Sequence, residues 1–322
     1  MNIMVIGLGS MGKRRIRLIH ELYPEYLIYG IDEREDRRKK AKDELGIQCY
    51  KSLSDLTQQI DCAFVCTSPL SHAAIIRECL GRKWHTFTEL NLVPDGYEEN
   101  MALAEKNKCN LFLSSTFFYR EEIQYIRTRV DICKKWNYLY HVGQYLPDWH
   151  PWENYRDFFI GNMRTNGCRE ILAIELPWLT NVFGSVKEVS AWSNKITNLD
   201  IGFNDNFIIQ LIHENECKGV LIADVVSPCA VRKFEAYTEG SSIHWNGTPD
   251  SLTEFDSGTK SLQPVFLSEK TEHRHEYASF IIENAYKNEI QEFFEVVLKG
   301  KKPLYGFEQD LNVLKLIDKI GA

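Results

Sequence analysis

Three glycines at G-x-G-x-x-G spacing, Gly7, Gly9 and Gly12, follow directly on the apolar run Asn2 to Ile6 and open a helical segment at Ser10. That spacing dictates a strand turning sharply into a helix. Gly7 permits the tight turn, Gly9 lets the backbone come close to a phosphate, and Gly12 lets the helix pack tightly. The helix N-terminus, with Ser10 and Met11 in its first turn, aims its amides at an anion. A dinucleotide pyrophosphate is the implied ligand. A second apolar strand, Leu27 to Ile31, leads into Asp32, about twenty residues after the last glycine. A carboxylate there accepts hydrogen bonds from ribose hydroxyls and repels a 2′-phosphate, so the expected cofactor is NAD(H) in preference to NADP. Arg34, Arg37 and Arg38 weaken that preference.

At 322 residues the chain is expected to form two domains with substantial cores. Its net charge of −7 argues against nucleic acid or an anionic membrane as the main partner. The local run Lys13-Arg14-Arg15 reads as basic side chains near phosphate at the first helix. Nine cysteines occur without C-x-x-C pairs. Several, such as Cys62, Cys66 and Cys217, sit in apolar strand-like runs where a thiol acts as a small hydrophobe, which fits a reduced cytoplasmic location. The first strand starts at once, leaving no room for a signal peptide, and no apolar run reaches bilayer length.

Strands and helices alternate through about residue 120, with apolar runs at Cys62 to Cys66, Thr86 to Thr88 and Asn110 to Ser114 separated by helical stretches at Ser71 to Arg82 and Pro94 to Lys106. The expected fold class is α/β, a Rossmann doubly wound parallel sheet over residues 1–120. Residues 121–322 read as an α+β substrate-binding and oligomerisation domain with an open, mainly antiparallel sheet. Its strands run near Tyr138 to Leu146, Val186 to Trp192, Phe207 to His213, Gly219 to Val225 and Lys233 to Tyr237, with a helix over Gly167 to Phe183. Two further helices close the chain, near Glu276 to Leu298 and Gln309 to Ile320, the last able to pack back on the first domain.

Taken together, the glycine motif, Asp32, the segment Cys66-Thr67-Ser68-Pro69-Leu70-Ser71-His72 and the sheet-rich second half resemble the Gfo/Idh/MocA family of oxidoreductases. The resemblance implies that Thr67, Pro69 and His72 lie on the cofactor side. The family's Glu-Lys-Pro motif is here Glu89-Leu90-Asn91. Glu89 keeps the position near the nicotinamide ribose, whereas Leu90 replaces a lysine and can neither donate a proton nor bind a hydroxyl. On the family's Asp and His helix, anchored on Val182-Phe183-Gly184, Glu170 takes the Asp position and Ile174 the His position. Both usual proton-handling groups are thus changed.

A dense polar and aromatic block follows the first predicted strand of the second half, from Gly143 to Asp157. With Gly167-Cys168-Arg169-Glu170 and Glu175-Leu176-Pro177-Trp178-Leu179, it resembles a family branch found with surface-polysaccharide and sugar-nucleotide genes, which also lacks Glu-Lys-Pro. Tyr145, Trp149, Trp152 and Tyr155 offer flat faces or hydroxyls to a sugar, while Asp148, His150, Glu153, Arg156 and Arg169 can bind hydroxyls, a carboxylate or a diphosphate. His150 is the leading replacement base, because its ordinary pKa lies near neutrality. Tyr145 or Tyr155 could relay a proton instead, and Glu170 could orient a partner or a substrate hydroxyl. The pair His273 and His275 lacks further spaced ligands, so no metal site is expected.

Three functions remain open at this level. The first is an NAD(H)-dependent oxidoreductase of a sugar or nucleotide-sugar in cell-surface polysaccharide biosynthesis, with no nucleic acid or membrane partner and a homo-oligomeric state. The second is a non-catalytic NAD- and sugar-binding sensor or complex subunit, favoured by Leu90 and Ile174. The third is an enzyme using NAD transiently for a net non-redox sugar reaction.

Overall fold

The apolar run after Met1 forms β1 (Asn2–Ile6), with Ile3, Met4 and Val5 fully buried. Gly7 turns it into α1 (Ser10–Leu22). The alternation continues through β2 (Leu27–Ile31), α2 (Glu35–Leu45), β3 (Gln48–Tyr50), β4 (Cys62–Val65), α3 (Pro69–Gly81), β5 (His85–Thr88), α4 (Tyr97–Asn107) and β6 (Leu111–Leu113). These strands pair in parallel in the order β3-β2-β1-β4-β5-β6, the doubly wound arrangement expected from the sequence. The computed structural model describes residues 1–149, 153–267 and 282–322.

Next come α5 (Glu121–Arg129), β7 (Asn137–Gly143), α6 (Gly167–Phe183), β8 (Val186–Asn194), β9 (Asn206–His213), β10 (Lys218–Asp224), β11 (Val231–Thr238), β12 (Ser241–Trp245), β13 (Thr253–Asp256) and β14 (Ser261–Pro264). Among the described residues they form an eight-stranded sheet of order β14-β13-β12-β11-β7-β10-β9-β8. Its pairings are antiparallel except that β7 runs parallel to β10, so the sheet is mixed. One face is apolar and covered by α6: Tyr138 stacks on Phe183 at 4.4 Å between ring centroids, and Trp178 meets Phe234 edge-on at 5.3 Å. The other face is open, because β9 buries Phe207, Ile209 and Leu211 while Ile208 and Gln210 point out.

The chain ends with α7 (Glu283–Lys299) and α8 (Phe307–Ile320). The two compact units are Met1–Thr116 with Tyr286–Leu311, and Phe117–Ala285 with Asn312–Ala322. Almost all of α7 therefore belongs to the parallel-sheet unit, a return not visible in local sequence pattern. Phe293, fully buried, supplies the apolar reason, its ring edge-on to Phe64, Phe87 and Phe112 of three adjacent strands at 5.1–5.7 Å.

Arg15 ties this unit together. Its side chain is wholly buried; Nε donates to Glu89 Oε1 at 2.6 Å, and Nη2 donates to Glu89 Oε2 at 3.1 Å, Ser114 Oγ at 3.1 Å and Glu289 Oε2 on α7 at 2.7 Å. Its guanidinium lies 4.6 Å from the centre of the Phe87 ring. This corrects the expectation that Lys13-Arg14-Arg15 gathers at a phosphate. Arg14 and Arg15 lie on the buried side of α1, and Lys13 pairs with Glu44 at 3.2 Å.

A buried ion cluster that loses one member leaves uncompensated charge, at a cost of about 3–5 kcal/mol. Arg15→Met should therefore lower unfolding stability by that order in urea titrations, mainly through the fully buried Glu289. An unchanged midpoint would show that the cluster contributes little.

Candidate functional site

In the parallel-sheet unit the glycine loop has the shape of a phosphate cradle. Gly7 adopts φ +94°, and a Cβ there would lie 2.6 Å from the Cys66 carbonyl oxygen. A Cβ on Gly12 would lie 1.8 Å from the Gly7 carbonyl oxygen, so α1 can start this close to the turn only with glycine at that position. Gly9 differs. Its Cβ position meets nothing nearer than Arg37 Nη1 at 3.7 Å, leaving space above the loop. The N-terminus of α1 has no side-chain cap and no acidic residue in its first turn, while Ser10 is exposed and Met11 half-buried. First-turn amides without a capping group and a positive helix end suit an anion, so these residues fit the pyrophosphate of a dinucleotide.

Asp32 fixes both sides of the loop. Its Oδ2 accepts the Leu8 N–H and its Oδ1 accepts the Arg34 N–H, each at 2.9 Å. The carboxylate thereby joins the glycine turn to the bend after β2, with 8% of the residue exposed.

The Thr67 turn is rigid for a different reason. Pro69 sits at the start of α3, and Ser71 Oγ donates to Thr67 Oγ1 at 2.8 Å and to the Ser68 carbonyl at 2.7 Å. His72 is buried, its Nε2 2.9 Å from the Thr67 carbonyl and its Nδ1 2.5 Å from Asn91 Oδ1. Burial lowers its pKa despite those hydrogen bonds, which favours the neutral ring. The imidazole thus braces the two loops from inside the unit. Glu89 is held by Arg15, with its carboxylate 13% exposed.

Sequence reasoning missed Asn91 and Arg15 as the residues that hold these loops. The third position of Glu89-Leu90-Asn91 departs from the family motif, and that departure was the available signal for Asn91.

In the second unit Glu175 is the structural knot. Fully buried, its carboxylate accepts from Tyr140 Oη at 2.7 Å, Trp178 Nε1 at 2.7 Å and Arg232 Nη2 at 2.6 Å, fastening α6 to β7 and β11. Glu170 lies on a different face of α6, one turn before Ile174, and both are half-buried. Glu170 Oε2 is enclosed and has no hydrogen-bond partner among the described residues. Burial pushes this carboxyl up to about 7. Its place near the start of α6 would favour the anion by about 0.3–1 kcal/mol, less than the desolvation that opposes it.

The polar and aromatic block is only partly brought together. Trp149 donates its indole N–H to the Gln144 carbonyl at 2.9 Å, and its ring lies 3.5 Å from the Cβ position of Gly167. Tyr145 is half-buried and Asp148 exposed. Tyr155 Oη accepts the Asp200 N–H at 3.2 Å, and the exposed Arg156 pairs with Asp200 at 3.3 Å. Arg169, expected to meet substrate, is buried and instead donates to the Ala322 carbonyl at 2.7 Å and pairs with Asp318 at 2.8 Å, anchoring the chain's end. His150 and Trp152, like His273 and His275, lie outside the described residues. No cluster of three or more metal-ligating side chains occurs among the described residues, and no described helix is long and apolar enough to cross a membrane.

Comparison with known proteins agrees with this geometry. The chain is 30% identical over 121 residues to myo-inositol 2-dehydrogenase of Thermotoga maritima, a match spanning 36% of each protein. Biliverdin reductase of Synechocystis sp. PCC 6803, solved with biliverdin and NADP+, superposes with a TM-score of 0.78 at 16% identity over 99% of this chain and 98% of that one. UDP-N-acetylglucosamine 3-dehydrogenase GnnA of Acidithiobacillus ferrooxidans gives 0.77 at 14% identity over 99% and 96%. These likenesses establish a shared fold across the chain. Residues 1–115, which hold the glycine loop and Asp32, match the Gfo/Idh/MocA model, described as an oxidoreductase family with an NAD-binding Rossmann fold.

Proposed function

We propose that the whole chain is a Gfo/Idh/MocA oxidoreductase that uses NAD(H) on a sugar or nucleotide-sugar, in the cytoplasm and in cell-surface polysaccharide biosynthesis. The observation that carries this reading is the glycine cradle with Asp32 bonded to its Leu8 amide. The names of the inositol and UDP-sugar dehydrogenases support the substrate class. Gly7, Gly9, Ser10, Met11 and Gly12 would hold the pyrophosphate, Asp32 the adenosine ribose, and Thr67, Pro69 and Glu89 the nicotinamide side, with His72 bracing Thr67. A bound nicotinamide supplies the hydride acceptor or donor at its C4.

With Leu90 and Ile174 unable to move a proton, Glu170 is the group assigned to that work. Its enclosed, unpartnered Oε2 and raised pKa suit a carboxyl that takes a substrate hydroxyl proton when ionised and returns it when protonated. His150 and Tyr155 are the alternative acid–base groups, with Tyr145, Asp148, Trp149, Trp152 and Arg156 lining the sugar site. The competing reading, a dinucleotide and sugar sensor without catalysis, rests on the same Leu90 and Ile174. Self-association is assigned to the open sheet face. Trp192, Ile208, Ile222 and His141 stand in one register row there, and Trp192 is 58% exposed.

Turnover of NAD with a panel of nucleotide-sugars tests the assignment. Glu170→Gln should lower kcat about a hundredfold or more, leave KM for NAD unchanged, and remove the rate's dependence on a group titrating near pH 7. Unchanged kcat would remove Glu170 and leave His150 or Tyr155. Stability supplies a second readout. A carboxyl whose pKa rises on folding costs stability progressively from about pH 4.5 to about pH 7. Glu170→Gln should therefore melt above the wild type at pH 8 and approach it near pH 5; a constant difference would contradict the raised pKa. Asp32→Ala should weaken NAD binding more than NADP binding, an equal loss arguing against its ribose role. Trp192→Asp should dissociate the oligomer in light scattering, and an unaltered mass would place self-association elsewhere.

A further inference from the structure

Behind the Thr67 turn, inside the parallel-sheet unit, five buried polar side chains form one chain. Asp310, fully buried in the first turn of α8, accepts Tyr305 Oη on Oδ1 at 2.8 Å and Tyr97 Oη on Oδ2 at 2.5 Å. Tyr97 opens α4, and its ring meets Phe307 edge-on at 4.7 Å. Its hydroxyl also hydrogen-bonds the Asn91 side chain. Asn91 Oδ1 in turn stands 2.5 Å from His72 Nδ1, and on the far edge of the ring Nε2 faces the Thr67 carbonyl at 2.9 Å. Tyr97, Asn91 and His72 are each no more than 3% exposed, so the chain is closed to bulk water.

The hydrogens along this chain have a fixed order. An ionised carboxylate only accepts, so both tyrosine hydroxyls donate to Asp310. Tyr97 has one hydrogen, directed at Asp310, so toward Asn91 it accepts and the Asn91 amide N–H is the donor. That turns Asn91 Oδ1 to the ring, and at 2.5 Å His72 Nδ1 must carry a hydrogen. Thr88 Oγ1, 3.3 Å from Nδ1, donates to the Glu89 carbonyl at 3.2 Å and leaves the order unchanged. A neutral imidazole has a single N–H. With it on Nδ1, Nε2 presents a lone pair to the Thr67 oxygen and no hydrogen bond joins them. With it on Nε2, two acceptors would face each other at 2.5 Å. Only the ring with both hydrogens bonds to both neighbours.

We infer that Asp310 is a positioning residue for the Thr67 turn: through Tyr97 and Asn91 it fixes a hydrogen on His72 Nδ1, so the ring holds the Thr67 carbonyl only when Nε2 gains a second. The neutral ring fills the space between the two loops, and the charged ring also ties them. That the turn borders a cofactor rests on the dinucleotide reading above; the order of hydrogens does not. Burial disfavours the cation and lowers the His72 pKa from 6.5, while the Asn91 and Thr67 acceptors and the charge of Glu89, itself fastened to Arg15, favour it. Asp310 adds negative charge at the far end, and Tyr97 keeps its hydrogen because burial and Asp310 raise its pKa. Nε2 therefore gains its hydrogen on the acid side of pH 6.5 and loses it as pH rises.

Nitrogen NMR of the full chain with isotope-labelled histidine reads the tautomer, the His72 signals being those lost in His72→Gln. At about pH 8 the wild-type ring should carry its hydrogen on Nδ1. Asp310→Asn offers an amide N–H to Tyr97 and reverses the order: Tyr97 then donates to Asn91, Asn91 donates to Nδ1, and the His72 hydrogen moves to Nε2. Tyr97→Phe, which cuts the chain at its middle, should likewise lose the Nδ1–H form and serves if Asp310→Asn does not fold. NADH affinity supplies the functional readout. In the wild type it should rise about threefold to tenfold from about pH 7.5 to about pH 5.5, the worth of one hydrogen bond that orders the turn. In Asp310→Asn, whose Nε2 is protonated throughout, it should change less than about twofold. A wild-type ring with its hydrogen on Nε2, or an Asp310→Asn ring that keeps it on Nδ1, overturns the inference. An inverted tautomer with the wild-type pH dependence intact overturns the hold on Thr67. Folded wild type that binds no NADH overturns the dinucleotide reading alone, and the tautomer still decides the order of hydrogens.

Discussion

The approach of α1 to the turn before it is the constraint from which the rest of the cofactor unit follows. With Gly12 against the Gly7 carbonyl, the helix begins directly after the turn, and Gly9, its N-cap, has open space where a side chain would be. That position puts Leu8 within reach of Asp32, so one carboxylate locks the loop to the neighbouring strand. It also drives Arg15 inward, where the guanidinium gathers Glu89, Ser114 and Glu289. The phosphate cradle and the buried ion cluster are two faces of one helix placement.

Glycine spacing made the cradle legible, because the absence of three Cβ atoms at fixed intervals has few other uses. The parallel sheet was legible from apolar runs alternating with helices, and α6 was expected over Gly167 to Phe183, the bounds it takes between its Asn166 cap and Gly184. Arg15 was not, since its partners lie 74 and 274 residues away and a basic triplet beside a phosphate loop invites the opposite assignment. The partners of Arg169 were hidden for the same reason: Asp318 and Ala322 are at the far end of the chain. The short strands β13 and β14 carry little buried apolar surface, so no alternation announced them.

The two units carry different kinds of information. In the first, the residues that would hold a dinucleotide are fixed by backbone bonds and buried charge. In the second, the polar and aromatic block is partly consumed by its own packing, through Trp149 on Gly167 and Tyr155 on the Asp200 amide. What distinguishes Glu170 from these neighbours is that its enclosed Oε2 has no hydrogen-bond partner among the described residues. A buried carboxyl without a partner is costly, and such costs are commonly retained where a proton has work to do.

Calorimetric titration of the intact chain with NADH asks directly whether the cradle is a nicotinamide dinucleotide seat. A saturable isotherm with one dinucleotide per chain is expected, abolished by Gly12→Val, whose side chain would displace α1 from the turn. Absence of saturable binding to folded wild-type protein, or binding that Gly12→Val leaves unchanged, would contradict it.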